Sequence, residues 1–318
     1  MYSLTFDVDK SNKSQKPVAI VKGGKMNGEI LYLQEGNTKK SALPKPEISI
    51  TKYEKDLKGL KPRERVQSFY KLQEALDKGF TPDQFFGADA RLKDVYTKIQ
   101  TDTSASNKVE LPMNSFFNIL PTTDPEKRDV FYIAGASGSG KSFLARSIAE
   151  NYRKVWGEDR PIYLISKLAE DETLDKAKYI KRINVESFIK DPPAFEEFNS
   201  SLVLFDDYDT MEAPLDKIIE KLINDIAIMG RHGLISMLCM THYLTNYKKT
   251  RLLLNECTHV VIYPHGSAFS AISYLLKTNV GMDTKDIKEI KHIGSRWVCF
   301  SKNFPPFLVS EHMVKLLN

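Results

Sequence analysis

Residues 135 to 142 read GASGSGKS and satisfy the spacing G-x-x-x-x-G-K-[ST] in full. Each residue type there answers a need of phosphate chemistry. Glycines let backbone N–H groups turn inward around phosphate oxygens, where a Cβ would collide. Lys141 brings a point charge to the β- and γ-phosphates, and the Ser142 hydroxyl is a ligand for Mg²⁺. The apolar run VFYIAG leads into the loop and the helix-like segment SFLARSIAENYRKVW follows it, so a helix N-terminus faces the anion. The expected nucleotide contacts are Gly135, Ala136, Ser137, Gly138, Ser139, Gly140, Lys141, Ser142 and the adjoining Phe143, with ATP and Mg²⁺ as ligands.

A second constellation, SLVLFDDYD, covers residues 201–209. Four apolar residues place Asp206 at the end of a buried strand, where ligands bind in parallel sheets. Asp206 is the expected acid on the metal side. Asp207 stands where hydrolytic enzymes of this kind carry a glutamate that orients the attacking water, and an aspartate is one methylene shorter. The competing structural reading has Asp207 and Asp209 capping a helix near Pro214. LISMLCMTH (234–242) ends at Thr241 and His242, where a polar group can contact the γ-phosphate or the attacking water; the alternative is a polar strand end facing solvent. His242 is the candidate sensor, with Asn246 just beyond it. Arg231, Arg251 and Arg296 are candidate arginine fingers, donated by a neighbouring subunit to neutralise transition-state charge. Arg231 is the preferred one, and an ordinary surface arginine is the alternative for each.

These residues need a scaffold. From Asp129 onward, apolar strands alternate with amphipathic helices: VFYIAG, PIYLIS, SLVLFDD, LISMLCMTH and HVVIYP make five core strands, with YIKRINV as a further short one. Leu215, Ile218, Ile219, Leu222, Ile223 and Ile226 keep the spacing of one helix face. Continuous apolar strands between helices predict a parallel sheet covered on both faces. RWVCFSKN and PFLVSEH suggest a closing pair of strands. About 65 residues separate Lys141 from Asp206, with PIYLIS between them. An extra strand between the two motif strands marks the branch of NTPases that hydrolyse ATP with an added acid, and no arginine-rich kinase lid is visible. The expected fold is α/β, a P-loop NTPase three-layer fold with a mostly parallel core sheet of five or more strands.

A smaller α+β region precedes it. Residues 18–33 read as two short strands around a glycine turn, and 36–47 as a linker. A helix begins at Pro62 with Val66, Phe69 and Leu76 near one face and Gly79 at its end; a second starts at Thr81 with Pro82 inside it. TDTSASNK (101–108) reads as a loop. The predicted division is 1–110, a strand hairpin plus helices, and 111–318, the P-loop unit.

Composition bounds the function classes. With 42% apolar and 10% aromatic residues the chain is an ordinary globular protein. No apolar run reaches the ~18 to 20 residues of a membrane span, and the N-terminus has no apolar signal core, so an intracellular, soluble protein is expected. Cys239, Cys257 and Cys299 have no spacing for a disulfide framework or a zinc site and read as small core residues. The net charge of +5 falls entirely within residues 1–110, with 20 Lys/Arg against 15 Asp/Glu; the rest balances at 26 against 26. That excess is compatible with nucleic acid and equally with a lysine-rich surface. No motif for sequence-specific DNA recognition is visible.

Taken in order, GASGSGKS, PIYLIS, LVLFDD and GRHGLISMLCMTH resemble the FtsK/HerA-type ATPases, specifically the genome-packaging ATPases of large double-stranded DNA viruses of the poxvirus, iridovirus and mimivirus kind. The resemblance covers residues 129 to about 264 well and the remainder to 318 more loosely. It implies an ATP-driven, ring-forming homo-oligomer that moves double-stranded DNA without sequence preference into a capsid. It also implies a place in the host cytoplasm (the viral factory) and in the virion. His242 departs from the glutamine or asparagine expected at the sensor position. Residues 1–110 carry no motif that names a module and are candidates for docking capsid or other virion proteins, a membrane or a nuclease. The alternatives are a helicase or plasmid-type translocase of the same branch, a nucleotide kinase, and an ATP-binding switch with little turnover.

Overall fold

Strands form where β-branched and aromatic residues run between polar turns, and helices where the apolar period lengthens to 3.6. The computed structural model describes residues 2–8, 15–35, 53, 55–78, 80–87, 89–103, 108–112 and 114–317. In chain order the strands are β1 (Tyr2–Thr5), β2 (Lys16–Lys22), β3 (Ile30–Glu35), β4 (Lys108–Glu110), β5 (Phe116–Ile119), β6 (Val130–Ala134), β7 (Ile162–Ser166), β8 (Ile180–Ile183), β9 (Leu202–Asp206), β10 (Ser236–Thr241), β11 (His259–Ile262), β12 (Val298–Ser301), β13 (Phe307–Ser310) and β14 (Met313–Leu316). The α-helices are α1 (Pro62–Lys78), α2 (Pro82–Phe86), α3 (Ala90–Thr103), α4 (Lys141–Trp156), α5 (Leu215–Met229), α6 (Tyr247–Glu256), α7 (Phe269–Leu275) and α8 (Thr284–Ile290).

The larger sheet has the order β4-β14-β13-β12-β11-β6-β10-β9-β7-β8. Its six strands from β11 to β8 are parallel, whereas β12, β13 and β14 add antiparallel pairs beyond β11. The predicted parallel core is present and larger than five strands. The strand between the two motif strands is not the expected PIYLIS. The strand that separates the two motif strands in space is β10, which pairs with β6 on one side and β9 on the other. PIYLIS, as β7, lies outside β9 because its helical crossover carries it past the centre of the sheet.

Alternate residues of each central strand serve opposite faces. Tyr132, Phe205, Cys239 and Val260 pack with α5, α6, α7 and α8 on one side. Phe131, Ile133, Leu204, Met240 and Val261 pack on the other with Leu144, Ile148 and Tyr152 of α4. Leu4, Val18, Val21, Leu31 and Leu33 belong to this second core, because β1, β2, β3 and β5 form a four-stranded sheet of order β1-β3-β2-β5. All three cysteines are buried and free, as expected of core residues.

The chain divides into two compact units, Glu35–Lys108 and Tyr2–Gln34 with Val109–Asn318. The expected single region 1–110 is therefore split: the hairpin belongs with the P-loop unit because its apolar face completes that unit's core. The Glu35–Lys108 unit has its own core of Tyr53, Leu57, Phe69, Leu72, Ala75, Phe86, Leu92, Val95, Tyr96 and Ile99. Pro62 opens α1 as predicted, and Thr81 caps α2 in a reciprocal box with Gln84. Val66 is exposed rather than part of the buried face. Residues 101–103 continue α3 instead of beginning a loop. The expected linker at 36–47, Gly79 and the Leu76 side chain lie outside the described residues.

Candidate active site

The site is built at the C-terminal ends of β6, β10 and β9, one residue set per strand. β6 runs into the loop Gly135–Gly140, and Lys141 opens α4. Gly138 and Gly140 have φ of 73° and 103°, left-handed values that suit glycine. Gly135 is required for a different reason: a Cβ there would lie 2.6 Å from the Tyr263 ring and 2.7 Å from Ser139 Oγ. Gly140 stands at the cap of α4 and no side chain caps the helix, so its first-turn N–H groups remain available to an anion.

Lys141 is only 7% exposed. Its Nζ donates to the carbonyls of Gly135 at 2.9 Å and Ala136 at 3.3 Å, and lies 3.5 Å from His242 Nδ1. Burial lowers its pKa, while the carboxylates of Asp207, Asp206 and Asp209 act to raise it. His242 Nε2 in turn lies 2.9 Å from Asp207 Oδ1. An ammonium can only donate, so Nδ1 accepts and the ring proton sits on Nε2, directed at Asp207. Lys141, His242 and Asp207 thus form one chain from the start of α4 across the ends of β10 and β9.

Asp206 is buried and accepts from Ser166 Oγ of β7 at 3.3 Å. Burial, then the charges of Asp207 and Asp171, push its pKa up to about 6, against the opposing effects of the Ser166 hydroxyl and Lys141. Asp207 has φ 46°, a left-handed value for a non-glycine residue at the strand end. Neither Asp207 nor Asp209 caps α5, whose cap position is Pro214 without a side-chain bond. Asp209 instead ties down the end of β10: its Oδ2 accepts from Thr241 Oγ1 at 2.8 Å and from His242 N at 3.0 Å.

Phosphate and Mg²⁺ fit what is present. Ser139 Oγ is buried in the loop without a partner. Lys141 is held by loop carbonyls, and Asp206 and Ser142 supply an acid and a hydroxyl of the kind that a Mg²⁺ shell takes. Asp207, Asp209 and His242 each offer a ligand atom within 4.8 Å of the others. Phe143 is 70% exposed.

The three candidate arginines lie in three different places. Arg231 precedes β10, at the opposite end of the sheet from the loop, beside a cavity of about 630 Å³ that Asp129 and His259 also line. A six-residue strand spans roughly 20 Å, so Arg231 does not reach the loop of its own chain. Arg296 lies beside its own loop: a terminal nitrogen is 3.6 Å from where a Gly140 Cβ would stand. Arg251 is exposed on α6. Ser166 and Tyr263 carry no role in the sequence, and Asp209 only that of a helix cap. Their common signal is position, just at or beyond the C-terminal end of a parallel strand.

No family model matches the chain. Uncharacterized protein V3 of Sputnik virophage is 32% identical over 234 residues, covering 73% of this chain and 93% of V3. The chain belongs to the V3 family. Solved structures of similar fold include the genome packaging NTPase B204 of Sulfolobus turreted icosahedral virus 2 in complex with AMPPCP, 11% identical, with a TM-score of 0.38 over 59% of this chain and 99% of that one. B204 of Sulfolobus turreted icosahedral virus, a DNA-packaging ATPase, is 15% identical with a TM-score of 0.39, covering 61% and 98%. The cytoplasmic domain of the type VII secretion ATPase EccC of Thermomonospora curvata is 11% identical with a TM-score of 0.42, covering 64% of this chain and 28% of EccC. In this V3-family chain the P-loop NTPase fold rests on the loop and strand order described above. No helix among the described residues is long and apolar enough to cross a membrane.

Proposed function

We propose that this V3-family protein is a Mg²⁺-dependent ATPase that moves double-stranded DNA during packaging of a viral genome. The observation that carries the hydrolytic part is the Lys141–His242–Asp207 chain at the mouth of the loop. A purely structural nucleotide site needs the cradle and the lysine; it does not need a carboxylate held on an adjacent strand by an imidazole. Gly135 to Ser142 hold the triphosphate, and Lys141 leaves its loop carbonyls for the β- and γ-phosphates. Ser142 and the water side of Asp206 hold Mg²⁺, which when bound neutralises charge on the phosphates. Asp207 accepts the proton of the attacking water. His242 keeps its Nε2–H toward Asp207, and Lys141, on moving from Nδ1 to the γ-phosphate, couples that pair to the presence of phosphate, which makes His242 the sensor. Catalysis is mainly positioning and charge stabilisation.

The DNA part draws on the motif order shared with FtsK/HerA-type packaging ATPases and on kinship with a virophage protein. In this reading the chain works as a homo-oligomeric ring, with Arg231 reaching a neighbour's site, and the Glu35–Lys108 unit docks capsid or virion proteins. The test is steady-state ATP hydrolysis with and without long duplex DNA. Wild type turns over and is stimulated by duplex, Lys141→Ala is inactive, and Asp207→Asn binds nucleotide but loses hydrolysis. Normal turnover by Asp207→Asn removes the base assignment. Slow hydrolysis indifferent to duplex replaces the motor with an ATP-dependent switch.

A further inference from the structure

The geometry points to Arg296 as a nucleotide-binding residue that acts in cis, on the α- and β-phosphate side of the loop in its own chain. We infer this role on top of the nucleotide site proposed above. Arg296 sits on the segment that leads into β12, and that segment is fixed. Glu311 Oε2 accepts from Arg296 N at 2.7 Å, Ser295 Oγ donates to Trp297 O at 2.7 Å, and Glu311 N donates to Ser295 Oγ at 3.0 Å. Ser295 and Trp297 are both buried, so the backbone on each side of Arg296 is anchored.

From this anchor the side chain extends over the loop. One terminal nitrogen reaches within 3.6 Å of the ideal Gly140 Cβ position, and the Tyr263 ring lies 4.0 Å from the same point. The ring also packs against Gly135, so Tyr263 forms a wall between the loop and the Arg296 segment. Among the described residues, the Arg296 guanidinium makes no ion pair or hydrogen bond. A fixed backbone carries an unpaired cation to the rim of an anion cradle, and a phosphate is the partner that its planar donors suit.

The side of the loop matters. The hydrolytic residues stand on β9 and β10, whereas Tyr263 and Arg296 come from the far flank of β6, next to β11 and β12. The γ-phosphate belongs with the first group. Arg296 therefore meets the part of the nucleotide that ATP and ADP share, which separates it from an arginine finger in trans. A finger neutralises charge that develops only in the transition state and leaves ADP binding untouched.

Fluorescent ADP and ATP analogues, titrated with full-length protein, test this directly. Arg296→Ala weakens both ligands to a similar extent, by about 10- to 100-fold, as expected for loss of a charge-assisted bond to phosphate. Arg296→Lys recovers part of the loss. Mixing Arg296→Ala with Lys141→Ala subunits restores no ATPase activity, because each loop lacks its own cation. Unchanged ADP affinity in Arg296→Ala overturns the inference, as does recovery of activity in the mixture, which would make Arg296 a finger in trans. Melting of the nucleotide-free variants at the wild-type temperature excludes misfolding as the cause of weakened binding. Failure of wild type to bind either analogue overturns the nucleotide site itself, a different outcome from failure of Arg296 alone.

Discussion

At the residue scale, the molecule carries two acid–imidazole pairs with different settings. His242 and Asp207 are half-exposed at the mouth of the loop. Asp129 and His259 are buried at the other end of the sheet, with Oδ1 and Nδ1 3.8 Å apart. Thr122 N donates to Asp129 Oδ2, and the His259 ring stacks on Phe131 with centroids 4.4 Å apart. Burial is the largest influence on both: it raises the Asp129 pKa and lowers that of His259, which Asp129 partly restores. A histidine kept neutral by burial binds fewer protons folded than unfolded, so its contribution to stability is present at high pH and lost on acidification. The expected outcome is that the melting temperature of wild type falls relative to His259→Gln as pH drops through about 6.5, the ordinary histidine value. Asp129, present in both proteins, largely drops out of that difference. Parallel melting curves over this range would show that His259 protonates freely in the folded protein.

At the scale of elements, β10 links the two halves of the site. It pairs with the strand that feeds the loop and with the strand that ends in Asp206, and Asp209 fixes its last residues. Asp209→Ala removes the acceptor for Thr241 Oγ1 and His242 N without touching the cradle. The expected result is a loss of kcat of about 10- to 100-fold with nucleotide affinity retained, since His242 loses its register against Asp207. Asp209→Asn retains an acceptor oxygen and loses less. Equal activity in both variants would assign no positioning role to Asp209.

The same element shows what the sequence discloses and what it withholds. The loop, the acidic strand end and the polar end of LISMLCMTH are legible because each is local: a motif, an apolar run, a change of residue type at its end. The order of strands is not local. PIYLIS lies between the two motifs in sequence and outside them in space, because a crossover can place a strand at either side of its predecessor. Arg296 likewise stands 156 positions from Gly140 in sequence and beside it in space, and no spacing rule links the two. Asp209 reads as a helix cap by composition, yet its partners are on a strand that begins 27 residues later.

At the scale of the whole molecule, the P-loop unit is assembled from two stretches of chain, 2–34 and 109–318. Leu4, Val18, Val21, Leu31 and Leu33 are buried in the core that also holds α4. At ~1.5 to 3 kcal/mol for each large buried side chain, these five contribute on the order of 10 kcal/mol. That is comparable with the whole net stability of a domain, ~5 to 15 kcal/mol. Residues 109–318 expressed alone are therefore expected to show no cooperative thermal transition by circular dichroism. A chain in which 36–107 is replaced by a flexible Gly/Ser linker of about 20 residues is expected to melt cooperatively and to bind nucleotide. A cooperative melt of 109–318 alone would show that the hairpin is dispensable to that core.

The helical unit is thus inserted into the P-loop unit rather than joined to one end of it. Both of its ends return to one body, so it can be lengthened, exchanged or lost in descent without breaking a strand that positions the loop. Selection can act on the two units at different rates: the P-loop frame is held by the chemistry of its loop, while the insert is free to change with whatever it contacts.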